Sequence, residues 1–359
     1  MSQKSSSTPP PPPSGSTPVE SLSFDQLRGE IEGVRTRIND LRQRLGRFFV
    51  NKQELVDLMC VCTVASEPLL LVGPPGTAKS DLVTKFCEAL GLSGNDYFEY
   101  MLTKFTEPSE LIGPIDLVRL KSGAYIRKVE GKLPEAQIAF LDEIFKSNSA
   151  ILNTLLTIIN ERKFYQDGRP VPVHLKMLFA ATNAVPEFEE LAALRDRFVL
   201  KAESLPVKDQ HMDQLLEKGV ANELHKALNR RPWANLANLS DFLRMRRYLH
   251  LLMAGVGEGG KRGGEDGPES AITRDRQRYF PDDVFDLFKR VIRTLERENR
   301  VVVSDRKVIK LYQLIRARAL LFHGGQVRRD DLVLLRYVGD RNEEFAAIRE
   351  KVDALLRLG

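Results

Sequence analysis

Cysteine and tryptophan are scarce in this chain: three cysteines and one tryptophan in 359 residues. Cys60, Cys62 and Cys87 are odd in number and lack metal-ligand spacing, which excludes a disulfide scaffold and a zinc module. They read as reduced thiols of a cytoplasmic protein. Long apolar runs are also missing. None approaches the ~20 residues of a membrane helix, and Lys4 has no apolar stretch behind it, so neither a membrane span nor a secretory signal is expected. Neither sign of charge dominates. A net charge of +5 permits an acidic or nucleic-acid partner without demanding one. With 42% hydrophobic and 29% charged residues, the chain is globular and long enough for two modest domains.

What the chain does have is a phosphate cradle. Leu69-Leu70-Leu71-Val72 is an apolar strand that breaks into Gly73-Pro74-Pro75-Gly76-Thr77-Ala78-Lys79-Ser80. In such a turn the backbone N–H groups and the next helix N-terminus converge on one anion. Lys79 suits the β- and γ-phosphates, and Ser80 suits Mg²⁺. Ala78 stands where the pattern G-x-x-x-x-G-K-[ST] has its last glycine, and alanine there requires a negative φ. Further on, Ile138-Ala139-Phe140-Leu141 ends in Asp142-Glu143. Asp142 would hold Mg²⁺ and Glu143 would polarise the attacking water. Phe179-Ala180-Ala181 ends in Thr182-Asn183, where Asn183 could share that water. Arg195 and Arg197 flank Asp196, and Arg306 follows the helix-capping Ser304. Arginines in such places either lie on the surface or supply cationic charge to a phosphoryl transition state. From the lid, Arg306 could reach back to the γ-phosphate.

The surrounding organisation is alternating strands and helices, then helices alone. Residues 1–22, with prolines 9–13, read as a Pro/Ser-rich tail that buries no core. Residues 24–45 form a helix capped by Ser23, whose seam of Leu27, Ile31, Val34, Ile38, Leu41 and Leu45 is expected to pack on its own domain. An α/β core spans 47–204, with insertions near 105–131 and 163–174. Asp116–Leu120 and Ala124–Val129 suit one hairpin, and Asp167-Gly168 marks the turn of the other. Helices are expected at 208–229, 239–253, 281–298, 304–322, 329–338 and 341–357, with a Gly-rich loop at 255–270.

Together these segments resemble the AAA+ ATPases of the MoxR family, above all its RavA-type branch, over residues 47–340. Residues 73–80 resemble its Walker A and 140–147 its Walker B. Asn183 matches sensor 1, Arg197 the arginine finger and Arg306 sensor 2. Residues 98–114 resemble the branch's helix-2 insertion region and 163–174 its pre-sensor-1 insertion, while Phe49 and Val50 fall where the family packs adenine. The resemblance implies a P-loop domain with a parallel sheet, followed by an all-α lid. It implies ATP and Mg²⁺ as cofactors, held by Phe49, Val50, Gly73, Pro74, Pro75, Gly76, Thr77, Ala78, Lys79, Ser80 and Asp81, with Ser80 and Asp142 on the metal. Glu143, Asn183, Arg197 and Arg306 would act in hydrolysis. It also implies a homo-oligomeric ring, usually a hexamer, that remodels a protein client, often beside a von Willebrand A domain partner. RavA-type proteins continue past the lid into a further domain, whereas this chain ends soon after it. Two other functions remain: an ATP-gated scaffold with little turnover, and a nucleic-acid motor. Arg230, Arg231, Arg244, Arg246 and Arg247 form a basic stretch, but without stacking aromatics a solvated face is the better reading.

Overall fold

The computed structural model describes residues 18–256 and 268–358. Most of the Pro-rich tail and of the 255–270 loop therefore lie outside the described residues. Helix α1 (Phe24–Gly46) opens with a capping box, in which the Ser23 hydroxyl accepts from the Gln26 N–H and the Gln26 side chain accepts from the Ser23 N–H. Its seam is buried against the rest of the chain, as the periodicity predicts. Helix α2 (Gln53–Ala65) leads into β1 (Leu69–Val72), and α3 (Lys79–Ala89) leaves the cradle. Then come β2 (Tyr97–Met101), the short helices α4 (Pro108–Ile112) and α5 (Leu117–Lys121), β3 (Ile138–Asp142) and α6 (Ser149–Glu161). The hairpin β4 (Lys163–Gln166) and β5 (Arg169–Pro172) turns at Asp167-Gly168, both with positive φ. Strand β6 (Met177–Thr182), helix α7 (Ala192–Arg197) and strand β7 (Leu200–Glu203) complete the α/β part.

Strands β2-β3-β6-β1-β7 form one parallel sheet in that order. Helices cover both faces, which is why β1, β3 and β6 are unbroken apolar runs. Alternate residues serve opposite sides: Leu69 and Leu71 pack with α2 and α3, while Leu70 and Val72 pack with α6.

After β7 the chain is helical: α8 (Lys208–Ala227), α9 (Leu239–Met253), α10 (Pro268–Tyr279), α11 (Asp282–Glu298), α12 (Asp305–His323) and α13 (Asn342–Leu358). α9 lies on α1 and α2, with Phe24 stacked on Tyr248 and Phe242 against Phe86 of α3. The fully buried Arg316–Asp275 pair, at 2.9 Å, ties α12 to α10, a helix the sequence reading did not place.

Two expectations are corrected. Residues 116–129 are not a two-stranded hairpin. Pairing is confined to Ile115 with Arg127, and 117–121 coil instead because the Asp116 carboxylate caps the N–H groups of Val118 and Arg119. Residues 329–337 form a 3₁₀ stretch rather than an α-helix.

Candidate nucleotide site

The cradle opens at the carboxyl edge of the sheet. Gly73 has to be glycine: its φ is +156°, and a Cβ there would meet the Ser204 carbonyl at 2.3 Å. Lys79 Nζ donates to the carbonyls of Gly73 (2.6 Å) and Pro74 (3.0 Å), and the Thr77 hydroxyl donates to Pro74 O at 2.9 Å. Burial lowers the Lys79 pKa, while Asp142 and Glu143 partly restore it, so the strand-end acids and the cradle lysine share one field. Ala78 overturns its expectation: its φ is +64°, in the left-handed region, immediately before α3. The turn therefore forces onto alanine the backbone that glycine would adopt freely.

Parallel pairing sets Asp142, Glu143 and Asn183 at the same edge as the cradle. Asn183 Nδ2 donates to Glu143 Oε1 at 2.6 Å, and Lys146 Nζ lies 3.1 Å from the same oxygen. Glu143 itself has φ +53°, a strained backbone of the kind found at functional turns. The Asp142 carboxylate accepts from the Glu143 N–H at 2.8 Å, which fixes the pair. The described residues contain no cluster of three or more His, Cys, Asp or Glu able to cage an ion. A single carboxylate (Asp142) and a single hydroxyl (Ser80) beside a phosphate cradle fit Mg²⁺, which takes much of its shell from substrate phosphates and water.

Next to the cradle lies a cleft of about 460 Å³, lined by Phe49, Val50, residues 74–78, Asp81 and, unexpectedly, α8. Lys218 Nζ donates to Phe49 O and Asn222 Nδ2 to Phe48 O, both at 2.9 Å. Lys226 approaches Asp81 at 3.7 Å. Lys52 closes the rear wall. Its Nζ donates to Leu205 O (2.7 Å) and Ser204 Oγ (3.1 Å), and Ser204 Oγ donates to Thr77 O (2.8 Å). Burial, helped by Lys79, brings the Lys52 pKa down to about 8. Sequence reasoning missed Lys52, Lys146, Lys218, Asn222 and Ser204. The only available signal was Lys146, inside the segment 140–147 that ends in the paired acids and the turn after them.

The arginines lie elsewhere. Leu200 pairs with Leu69 at the start of both strands, so Arg197, three residues earlier, sits at the amino edge of the sheet. Its Nε is buried without a hydrogen-bond partner among the described residues. Arg195 donates to the carbonyls of Pro186 and Phe188 rather than pairing with Asp196, which accepts from Ser304 Oγ. Arg306 Nη2 donates to Asn160 Oδ1 at 3.1 Å, at the far end of α6. That helix is about 20 Å long, so Arg306 does not reach back to its own cradle, contrary to expectation. The lid holds it there through Lys310–Glu67 and Lys307–Asp340.

A parallel sheet in this order, a P-loop, paired acids on the next strand but one and a helical lid define an AAA+ nucleotide-binding protein. A profile for the MoxR domain of MoxR-vWA-beta-propeller ternary systems matches residues 36–242, more than half of the chain, and an AAA lid domain profile matches 270–352. The chain belongs to the MoxR family. It is similar to two uncharacterized proteins of Methanocaldococcus jannaschii, 41% and 40% identical over 165 and 169 residues. Those matches cover 46% and 47% of this chain and 43% and 44% of theirs. Chaperone MoxR1 of Mycobacterium tuberculosis is 26% identical over 201 residues, 54% of this chain and 52% of that one. The chain thus spans about half the length of the curated relatives it matches. A crystal structure of a Cytophaga hutchinsonii protein assigned as an ATPase superposes with a TM-score of 0.63 at 17% identity, over 93% of this chain and 97% of that one. That likeness carries the fold alone.

Proposed function

We propose that this chain hydrolyses ATP as a ring-forming motor that remodels a protein client. The observation that carries the reading is the split of the machinery. Cradle, acid pair and Asn183 share the carboxyl edge of the sheet, while Arg197 and Arg306 sit toward the other edge, out of reach of their own cradle. Such a site is completed by a neighbouring copy. Lys79 neutralises the phosphates and Glu143 orients water, with Asn183 aiming its carboxylate. Mg²⁺ at Ser80 and Asp142 supplies the remaining charge neutralisation on the triphosphate. Arg197 of the next copy meets the charge that develops in transfer, and Arg306 reports the lid position.

The client side of this reading rests on the insertion. Phe105 is 91% exposed, and Leu117, Val118 and Tyr165 also face solvent instead of packing in the core. We assign these loops to client contact, and a von Willebrand A domain protein as partner on the strength of the ternary systems named by the family profile. Membership of the RavA-type branch is a narrower form of the same proposal, carried by residues 98–114. Three buried free thiols suit a cytoplasmic setting.

Glu143→Gln tests the reading. Turnover should fall by about 100-fold or more with ATP affinity kept within about threefold, and affinity capture with ATP should retain partners that the wild type releases. Survival of client activity without hydrolysis would leave the scaffold in place of the motor.

A further inference from the structure

Two lysines and one carboxylate are buried together where the lid meets the α/β part. Lys201 of β7 and Lys307 of α12 are each 1% exposed. Both donate to Asp340, in the turn before α13: Lys201 Nζ to Oδ1 at 2.7 Å, Lys307 Nζ to Oδ1 at 3.0 Å and to Oδ2 at 2.8 Å. Burial brings the Lys201 pKa down to about 8; Asp340 opposes the fall and Lys307 adds to it. Burial alone would raise the Asp340 carboxyl, but the two lysines hold it below its ordinary value. Packed apolar side chains often stabilise such a junction as well as buried ions do, so stability does not account for the cluster. What the charges add is fixed distance and direction.

The cluster brackets both arginines. The residue before Arg197, Asp196, accepts from Ser304 Oγ at 3.2 Å and lies 4.0 Å from Lys307 Nζ. The residue after it, Phe198, accepts at its carbonyl from Lys201 Nζ at 2.8 Å. Arg306 stands between the capping Ser304 and Lys307 on the first turn of α12. The turn that carries Asp340 is itself pinned. The Asp340 N–H donates to Glu344 Oε2, and the Val185 N–H donates to Asn342 Oδ1, both at 3.1 Å. The cluster therefore grips the chain on either side of Arg197 and at the start of the helix that presents Arg306.

We propose, resting on the ring reading above, that Asp340 is a positioning residue: it fixes the spacing of Arg197 and Arg306 and acts on turnover only through them. Without the carboxylate that joins them, two ammonium groups face each other in the interior, and α7 and α12 lose their common anchor. A displacement of about 1 Å is enough to lower a rate about 100-fold. Nucleotide affinity lies outside the effect, because none of Asp196, Lys201, Ser304, Lys307 and Asp340 lines the nucleotide cleft.

The test uses the full chain with ATP and Mg²⁺, followed by steady-state and single-turnover ATPase rates, titration with a fluorescent ADP and sedimentation velocity. Asp340→Asn should assemble like wild type, bind ADP within about threefold of it and lose about 10- to 100-fold in kcat. Combined with Arg197→Ala, it should lose far less than the product of the two separate losses, because Asp340 acts through that arginine. Ser304→Ala removes only a hydroxyl from the cluster. It should show the same pattern with a loss of about fivefold, and it carries the test by itself if Asp340→Asn does not fold. Losses that multiply overturn the proposal, since a role independent of Arg197 gives that result. So does an Asp340→Asn chain that turns over like wild type, that falls to monomers, or that loses ADP affinity along with kcat. Arg197→Ala that keeps wild-type turnover overturns the ring reading itself.

Discussion

The two edges of the central sheet are built on opposite terms. At the carboxyl edge Lys79 is partnered by the cradle carbonyls, Glu143 by Asn183 and Lys146, and Ser204 by Thr77 and Lys52. At the amino edge, among the described residues, Arg197 Nε is buried without an acceptor and Arg306 donates to an amide oxygen. A buried donor left unmet costs about 1–3 kcal/mol, and in the proposed ring this edge is the one that faces the neighbouring copy. On the proposed reading the contrast separates binding from turnover: one edge would hold the nucleotide, and a second copy would complete the site that cleaves it.

The sharpest way to break that contrast is Arg197→Ala. Loss of a cation that meets transferring phosphate lowers turnover by about 10³-fold. Nucleotide affinity should not move, because Arg197 is remote from its own cradle. Steady-state ATPase rates beside ADP titration of the monomer separate the two. A large loss of affinity in the monomer would mean that the arginine serves its own site and that the two edges are not divided as described.

Lys52 offers a pH test confined to the carboxyl edge. Its pKa in the folded chain is about 8, against the ordinary lysine value of 10.5. Folding therefore releases a proton between those values, and its contribution makes the native state more stable as pH rises through that window. Nucleotide binding runs the other way. A triphosphate beside Lys52 and Lys79 favours their charged forms, so binding takes up protons and affinity falls with rising pH. The expected loss is about tenfold between about pH 7.5 and 9. Lys52→Met should keep only the part of that slope that Lys79 supplies, read by calorimetric titration in buffers of different ionisation enthalpy. An unchanged slope would place the phosphates away from Lys52.

Much of the carboxyl edge was legible because each part is written contiguously: an apolar strand, then its polar terminus. Leu69–Val72 with the cradle, Ile138–Asp142 with Glu143, and Met177–Thr182 with Asn183 all follow that rule. The α1 seam was legible for the same kind of reason, since a period near 3.6 names the buried face without naming the partner. The α8 wall was not legible, because Lys218 and Asn222 bind backbone carbonyls of Phe49 and Phe48, which have no side-chain signature. Arg306 was misplaced because its position is set by contacts distant in sequence, Lys310–Glu67 and Lys307–Asp340 among them. The 116–129 segment was misread because one carboxylate cap outweighed a turn signal.

The smallest expected effect tests strain at the cradle alone. Ala78 holds φ +64° and ψ +24° where glycine would be unstrained. The left-handed backbone costs an alanine about 1 kcal/mol, and glycine would lose part of that gain through its freer unfolded chain. Ala78→Gly should therefore stabilise by roughly 0.5 kcal/mol, a rise in Tm of about 1–2 °C. Since the substitution stays at the carboxyl edge, assembly and the contribution of Arg197 should be untouched. If Tm instead drops by several degrees, the Cβ of Ala78 makes packing contacts worth more than the strain, and the alanine is there to hold the turn in shape.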